Sequence, residues 1–248
     1  MKKVSTKSNF LFKTKADTLK QLVKLVEQSK IEKIYVFTVE EWQSSQTTIL
    51  KYISNNFNKK IIVRSSAVGE DSATSSEAGS YESILNVNAS SKREISNAIN
   101  SVISSYKIKN NRNNQNQILI QSQTLNIVIS GVVFTRTPDV GSPYFVINFE
   151  EGKLTTGVTK GNINNIVKIF RKTNPKLIPQ KWSRLIISVK EIEKIVNSDK
   201  LDIEFGVTKN NQVVIFQVRP LTSIKKKSKN ISDRDISKIV LKPKKQFK

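Results

Sequence analysis

Between Leu201 and Pro220 apolar and polar residues alternate in two runs separated by Lys209-Asn210-Asn211-Gln212. This is the pattern of a β-hairpin with one buried and one open face. Asn tolerates the positive φ angles of a tight turn, so the spacing predicts a two-residue loop at Asn210-Asn211. Such a loop sets Val207 against Val214, Phe205 against Phe216 and Ile203 against Val218, giving the ribbon an apolar face. On the other face Glu204 then stands across from Gln217 and Asp202 across from Arg219. A carboxylate beside a carboxamide oxygen suits Mg²⁺, and an arginine two residues along can grip a phosphate with paired hydrogen bonds. The same residues also suit an ordinary Asp202–Arg219 cross-strand ion pair on a wet sheet face.

The rest of the composition narrows the chemistry. The 248 residues contain neither cysteine nor histidine, which excludes disulfides, thiolate and imidazole ligands, imidazole bases and a phosphohistidine carrier within the chain. Carboxylates, amides, Lys and Arg remain, a palette for hard cations and phosphates. The net charge of +22 raises nucleic-acid binding. Against it, the lysines are scattered rather than interleaved with aromatics, no stacking platform is present, and a solvated basic surface is the simpler reading. No apolar run approaches the ~20 residues of a membrane span, and the first residues lack a secretory signal, so a soluble, cytoplasmic protein without a membrane partner is expected.

Along the chain, helical spacing of Leu19, Leu22, Val23 and Val26 predicts a helix over 17–29, followed by a strand at 31–38, a helix over 40–55 and a strand at 59–64. Residues 65–83 read as a long loop. Ser91 to Glu94 is a capping box opening a helix whose apolar face includes Ile95, Ile99, Val102 and Tyr106. The polar run 109–117 is the candidate boundary between a first subdomain, 1–108, and a second, 118–222. Strands are predicted at 118–121, 130–135, 144–149, 154–158 and 163–170, then a helix over 189–197 capped at Ser188. Residues 223–248 read as a basic tail or linker.

Ile61-Ile62-Val63 lead into Arg64 and a small-residue stretch, Ser65-Ser66-Ala67-Val68-Gly69. Small side chains let backbone N–H groups approach phosphate oxygens, although stretches of this composition are often simply loops. In this order, Val63 to Asp71 with Ala78 to Ser83, Ser130 to Thr135, and Asp202 to Phe205 with Gln217 to Pro220 resemble a known nucleotide-binding domain. It is the domain shared by phosphoenolpyruvate synthases, pyruvate phosphate dikinases and rifampin phosphotransferases. The resemblance implies an α+β, ATP-grasp-like fold whose two subdomains, with mixed or antiparallel sheets, hold Mg²⁺-ATP between them. It implies that Arg64 and Arg219 contact phosphoryl groups, that Glu204 and Gln217 hold Mg²⁺ with Asp202 supporting them, and that residues 65–83, including Ser65, Ser66 and Gly79, form a lid. Ile120, Gln121 and Gln123 would lie along adenine. Lys15 aligns with the family's phosphate-binding lysine, its alternative being a solvated helix-start residue.

The span from Lys15 to Arg64 is short for the family, Glu77 stands where an aromatic is common, and Asn148-Phe149-Glu150-Glu151 replaces a Gly-Leu-Gly-Glu stretch. That region looks more like a branch found with capsular carbohydrate genes, which includes L-glutamine kinases. In full-length relatives a histidine domain carries phosphate onward. With no histidine here, the resemblance implies a small-molecule acceptor, pyruvate- or glutamine-like, and one of three arrangements: a fragment cut after Pro220, a separate polypeptide that supplies the histidine, or direct transfer to the bound acceptor. The alternatives are a degenerate nucleotide-binding module and, last, a nucleic-acid-binding protein.

Overall fold

A computed structural model describes residues 10–69, 82–108, 111, 113–152, 165–224 and 233–240. The first sheet is built from β1 (Ile34–Thr38), β2 (Lys60–Ser66), β3 (Ser83–Asn88) and β4 (Gln117–Ser122) in the order β1-β4-β2-β3. All its pairings are antiparallel. Two helices, α2 (Val39–Asn56) and α3 (Lys92–Ile108), cover one face. Trp42, Ile49 and Ile53 of α2 and Ile95, Ile99, Val102 and Tyr106 of α3 close a core over Ile61, Val63, Ile118 and Ile120. Each such side chain removed from water contributes about 1.5–3 kcal/mol.

The second sheet, β5 (Ile127–Phe134), β6 (Tyr144–Glu151), β7 (Asn165–Phe170), β8 (Leu201–Thr208) and β9 (Val213–Pro220), has the order β7-β6-β5-β8-β9. Its core face packs under α4 (Gln180–Val196), whose Trp182, Leu185, Ile186, Val189 and Ile192 meet Phe145, Ile147, Ile203 and Phe205. The helix α1 (Lys15–Leu22) packs against β9 and β4, and its Ala16, Leu19 and Leu22 are fully buried. The two sheets are thereby tied together.

Several expected boundaries move. The sheets part at residues 123–126 rather than at 109–117, because β4 pairs with β1 and β2 of the first sheet. Helix α1 stops at Leu22 instead of running to Ser29. The segment beyond it gives up helical bonds to cap the β9 edge, with Lys30 N–H donating to Val213 and Lys30 C=O accepting from Ile215. Ser188 is no cap: it lies inside α4 and donates to the Arg184 and Gln28 carbonyls, a back-bonding habit of helical serines. Strand β3 replaces the end of the expected loop, and part of the tail forms α5 (Asp233–Val240), held by Arg136 on Asp233. The expected strand at 154–158 lies outside the described residues.

The hairpin register is half as expected. Asp202↔Arg219, Ile203↔Val218 and Glu204↔Gln217 pair as the alternation predicts, but Phe205 pairs with Ile215 and Val207 with Val213. The loop has three residues, 209–211, closed by Thr208 N–H to Gln212 C=O, with Asn211 at φ 58°. That extra residue shifts the register by one, and a bulge at Phe216 restores it before the polar pairs. In β5, a Cβ on Gly131 would sit 2.1 Å from the Asn148 carbonyl oxygen of the paired strand, so only glycine fits there. Gly131→Ala is expected to destabilise the fold by about 3 kcal/mol, in the upper range for single substitutions, as a lowered midpoint in urea denaturation; an unchanged midpoint would contradict this packing.

Candidate functional site

Alternation along β2 sends Ile61 and Val63 into the core and Arg64 to the opposite face, where it is 8% exposed. Its guanidinium crosses to the second sheet. Nη1 donates to the Phe216 carbonyl at 2.9 Å, and Nη2 donates to Glu204 Oε2 at 2.9 Å and lies 3.5 Å from Gln217 Oε1. Phe216 is the bulge residue, so its carbonyl is spared from the strand ladder. Its ring lies over Gly206, where a Cβ would come within 2.9 Å of it.

One pair further along, Arg219 grips Asp202 Oδ2 through Nε at 2.8 Å and Nη2 at 2.6 Å. The two side chains are 11% and 7% exposed, so this pair is buried rather than on a wet face. Burial pushes the Asp202 carboxyl up against the opposing pull of Arg219, and the Glu204 charge adds to the rise. Burial acts on Glu204 in the same sense, but Arg64, Lys15 and Arg219 outweigh it and hold its carboxyl below the usual carboxylate range. Lys15, at the start of α1, is 6% exposed: it is an element of the Glu204 field and not a solvated helix-start residue.

The remaining expected residues divide. Ser65 and Ser66 belong to β2 rather than to a loop. Ser66 Oγ accepts from the Ala16 N–H at 3.0 Å, near the start of α1, and donates to Gln117 Oε1 at 3.3 Å, whereas Ser65 Oγ is buried with no partner among the described residues. Gln121 shares the Arg64 face through the pairs Arg64↔Leu119 and Ile62↔Gln121. It is fully buried, and neither atom of its amide has a partner among the described residues. Ile120 points the other way, into the α2–α3 core, because strand parity separates it from Gln121. Gln123 exchanges hydrogen bonds with Asn86 at the sheet edge. Gly79 and positions 70–81 of the expected lid lie outside the described residues.

Sequence reasoning missed Gly206 and Phe216. A lone glycine in a strand was the available signal of a bulge.

Glu204 and Gln217 present hard oxygen donors across one strand pair, and Asp202 Oδ1 beside them is buried with no partner among the described residues. This donor set fits a Mg²⁺ that completes its shell with phosphate and water. No cluster of three or more acidic, histidine or cysteine ligands occurs among the described residues. A cleft of about 720 Å³ lies at the hairpin tip and the two inter-sheet linkers, lined by Lys30, Glu32, Asn126, Arg184, Asn210 and Gln212, and none of the charged cluster lines it.

The two antiparallel sheets with this cluster between them belong to an ATP-grasp fold, as the likeness to known proteins shows. The chain superposes on the VanG D-Ala:D-Ser ligase from Enterococcus faecalis with a TM-score of 0.50 and 14% identity, over 84% of this chain and 53% of the ligase. For the D-alanine-D-alanine ligase from Helicobacter pylori the TM-score is 0.48 and the identity 15%, over 84% and 51% of the two chains. The chain thus spans about half the length of these ligases. Residues 11–181, more than half of the chain, match the pyruvate phosphate dikinase AMP/ATP-binding domain, and the chain belongs to that family. It is an ATP-binding domain of the ATP-grasp kind. No curated protein sequence matches it, and no helix among the described residues is long and apolar enough to cross a membrane.

The depressed Glu204 carboxyl has a definite pH signature. A carboxyl with its folded pKa below the unfolded value stabilises the fold above that unfolded value, about 4.3 for Glu, and the gain fades as pH falls through the folded pKa. Glu204→Gln should therefore melt below wild type near neutral pH, with the gap narrowing below about pH 4. A gap in melting temperature that stays constant or widens on acidification would contradict the assignment.

Proposed function

We propose that this domain transfers a phosphoryl group from Mg²⁺-ATP to a small-molecule acceptor. The observation that carries the reading is the bridge from Arg64 on the first sheet to Glu204, Gln217 and the Phe216 carbonyl on the second. Phosphoryl transfer needs positioning and stabilisation of charge more than covalent chemistry, and this cluster has the groups for both.

In this reading Arg64 and Arg219 hold phosphoryl oxygens by bidentate hydrogen bonds, and Asp202 keeps Arg219 aimed through its two contacts at 2.8 and 2.6 Å. Glu204 and Gln217 hold the Mg²⁺, which when bound neutralises phosphate charge. Lys15 adds positive charge beside Glu204. The buried amide of Gln121, with no partner among the described residues, is the group that would pair with the adenine edge, and its neighbours Ile120 and Gln123 serve through their backbone at most. Ser65 and Ser66, as strand residues of β2, serve this reading beside Arg64 at the phosphates rather than in a lid, and Gly79 is the proposed lid residue.

These residues include no histidine, so phosphate passes directly to a bound acceptor or to a histidine outside them, in a further part of a longer protein or on a separate polypeptide. The acceptor in this reading is a small molecule of the pyruvate or glutamine kind, the second on the resemblance around Asn148-Phe149-Glu150-Glu151. Calorimetric titration with Mg²⁺-ATP followed by an acceptor screen tests the reading. Glu204→Ala and Arg219→Ala are each expected to lower the transfer rate by at least about 100-fold, the size expected when a group that stabilises developing charge is removed. Folded variants that turn over like wild type would refute these roles, and a wild type that binds ATP without turnover on any acceptor would favour a degenerate nucleotide-binding module.

A further inference from the structure

We propose that Arg64, through its contacts with Glu204 and Gln217, takes the place a divalent cation would hold between them, so that cation and nucleotide phosphate enter by exchange with it. This rests on the reading of Glu204 and Gln217 as cation ligands. The single Nη2 group is 2.9 Å from Glu204 Oε2 and 3.5 Å from Gln217 Oε1, so it reaches toward both oxygens that would bind the cation. Nη1 is fixed at 2.9 Å by the Phe216 carbonyl that the bulge sets free. The Glu204 charge is thus already answered from within the protein.

Two cations crowded on one sheltered carboxylate repel each other, and a metal ion arriving alone meets an occupied site. A nucleotide phosphate changes this balance, because its oxygens match the planar fork of arginine better than a single carboxylate oxygen does. Once Arg64 turns to phosphate, Glu204 is left sheltered and without its partner, a costly state that a divalent cation relieves. Metal alone is opposed by Arg64, nucleotide alone must strip Arg64 from Glu204, and each ligand removes the obstacle to the other. Arg219 takes no part in the exchange, since Asp202 holds it one pair further along.

Mn²⁺ titrations followed by the paramagnetic resonance of the free ion test the exchange, on wild type, Arg64→Gln and Arg64→Lys, first without nucleotide and then with ADP. Without nucleotide, Arg64→Gln is expected to bind Mn²⁺ at least about tenfold tighter than wild type, within the ordinary span of coupling between sites. Arg64→Lys, which keeps the charge but not the fork, should fall between them, and adding Glu204→Ala to Arg64→Gln should erase the gain. Equal or weaker Mn²⁺ binding by the folded variants, with wild type still binding Mn²⁺ and ADP together, would overturn the exchange and leave the nucleotide-site reading intact. Failure of folded wild type to bind ADP, with or without Mn²⁺, would instead remove that reading and the exchange with it. Should Arg64→Gln not fold, Arg64→Lys decides alone.

Discussion

One guanidinium spans the two halves of the molecule. Arg64 leaves the first sheet between two buried residues, Val63 and Ser65, and ends on three oxygens of the second sheet. A buried charge of this kind persists only where every hydrogen bond is answered, so the sheet spacing, the bulge at Phe216 and the ring-over-glycine contact at Gly206 all serve it. Much of the apolar packing lies on the outer faces, made by α2 and α3 on one sheet and α4 on the other, while α1 adds Ala16, Leu19 and Leu22 between β9 and β4. This leaves the facing surfaces able to carry charge.

The polar pairs were legible in the sequence because period-2 alternation sets the face of each hairpin residue. Their register survived for a less visible reason. The turn is one residue longer than a minimal hairpin and the bulge adds one residue back, so the two departures cancel before Glu204 and Gln217 are reached. Only Phe205, Val207 and their expected partners were displaced. Parity also decides between Gln121 and Ile120: one turns to the Arg64 face and the other into the core.

Other parts of the cluster join residues far apart in the chain, which no local pattern encodes. Ser66 receives the Ala16 N–H, and Thr14 donates to Gln117 at 2.6 Å. Lys15 reads as one more lysine in a lysine-rich chain until α1 is seen to pack against β9 and β4. The family match ends at residue 181, ahead of the hairpin, so the placing of Glu204, Gln217 and Arg219 rests on geometry rather than on that match.

The central claim is that nucleotide phosphates and their cation lie between the sheets at this cluster and not in the cleft at the hairpin tip. Anomalous diffraction from crystals grown with Mn²⁺ and a non-hydrolysable ATP analogue tests it directly. The account predicts a metal peak about 2.0–2.3 Å from Glu204 and Gln217 oxygens, the usual distance for such ligands, with Arg64 turned onto phosphate. Nucleotide and metal density at the cleft lined by Lys30 and Arg184, with Arg64 still on Glu204, would contradict it.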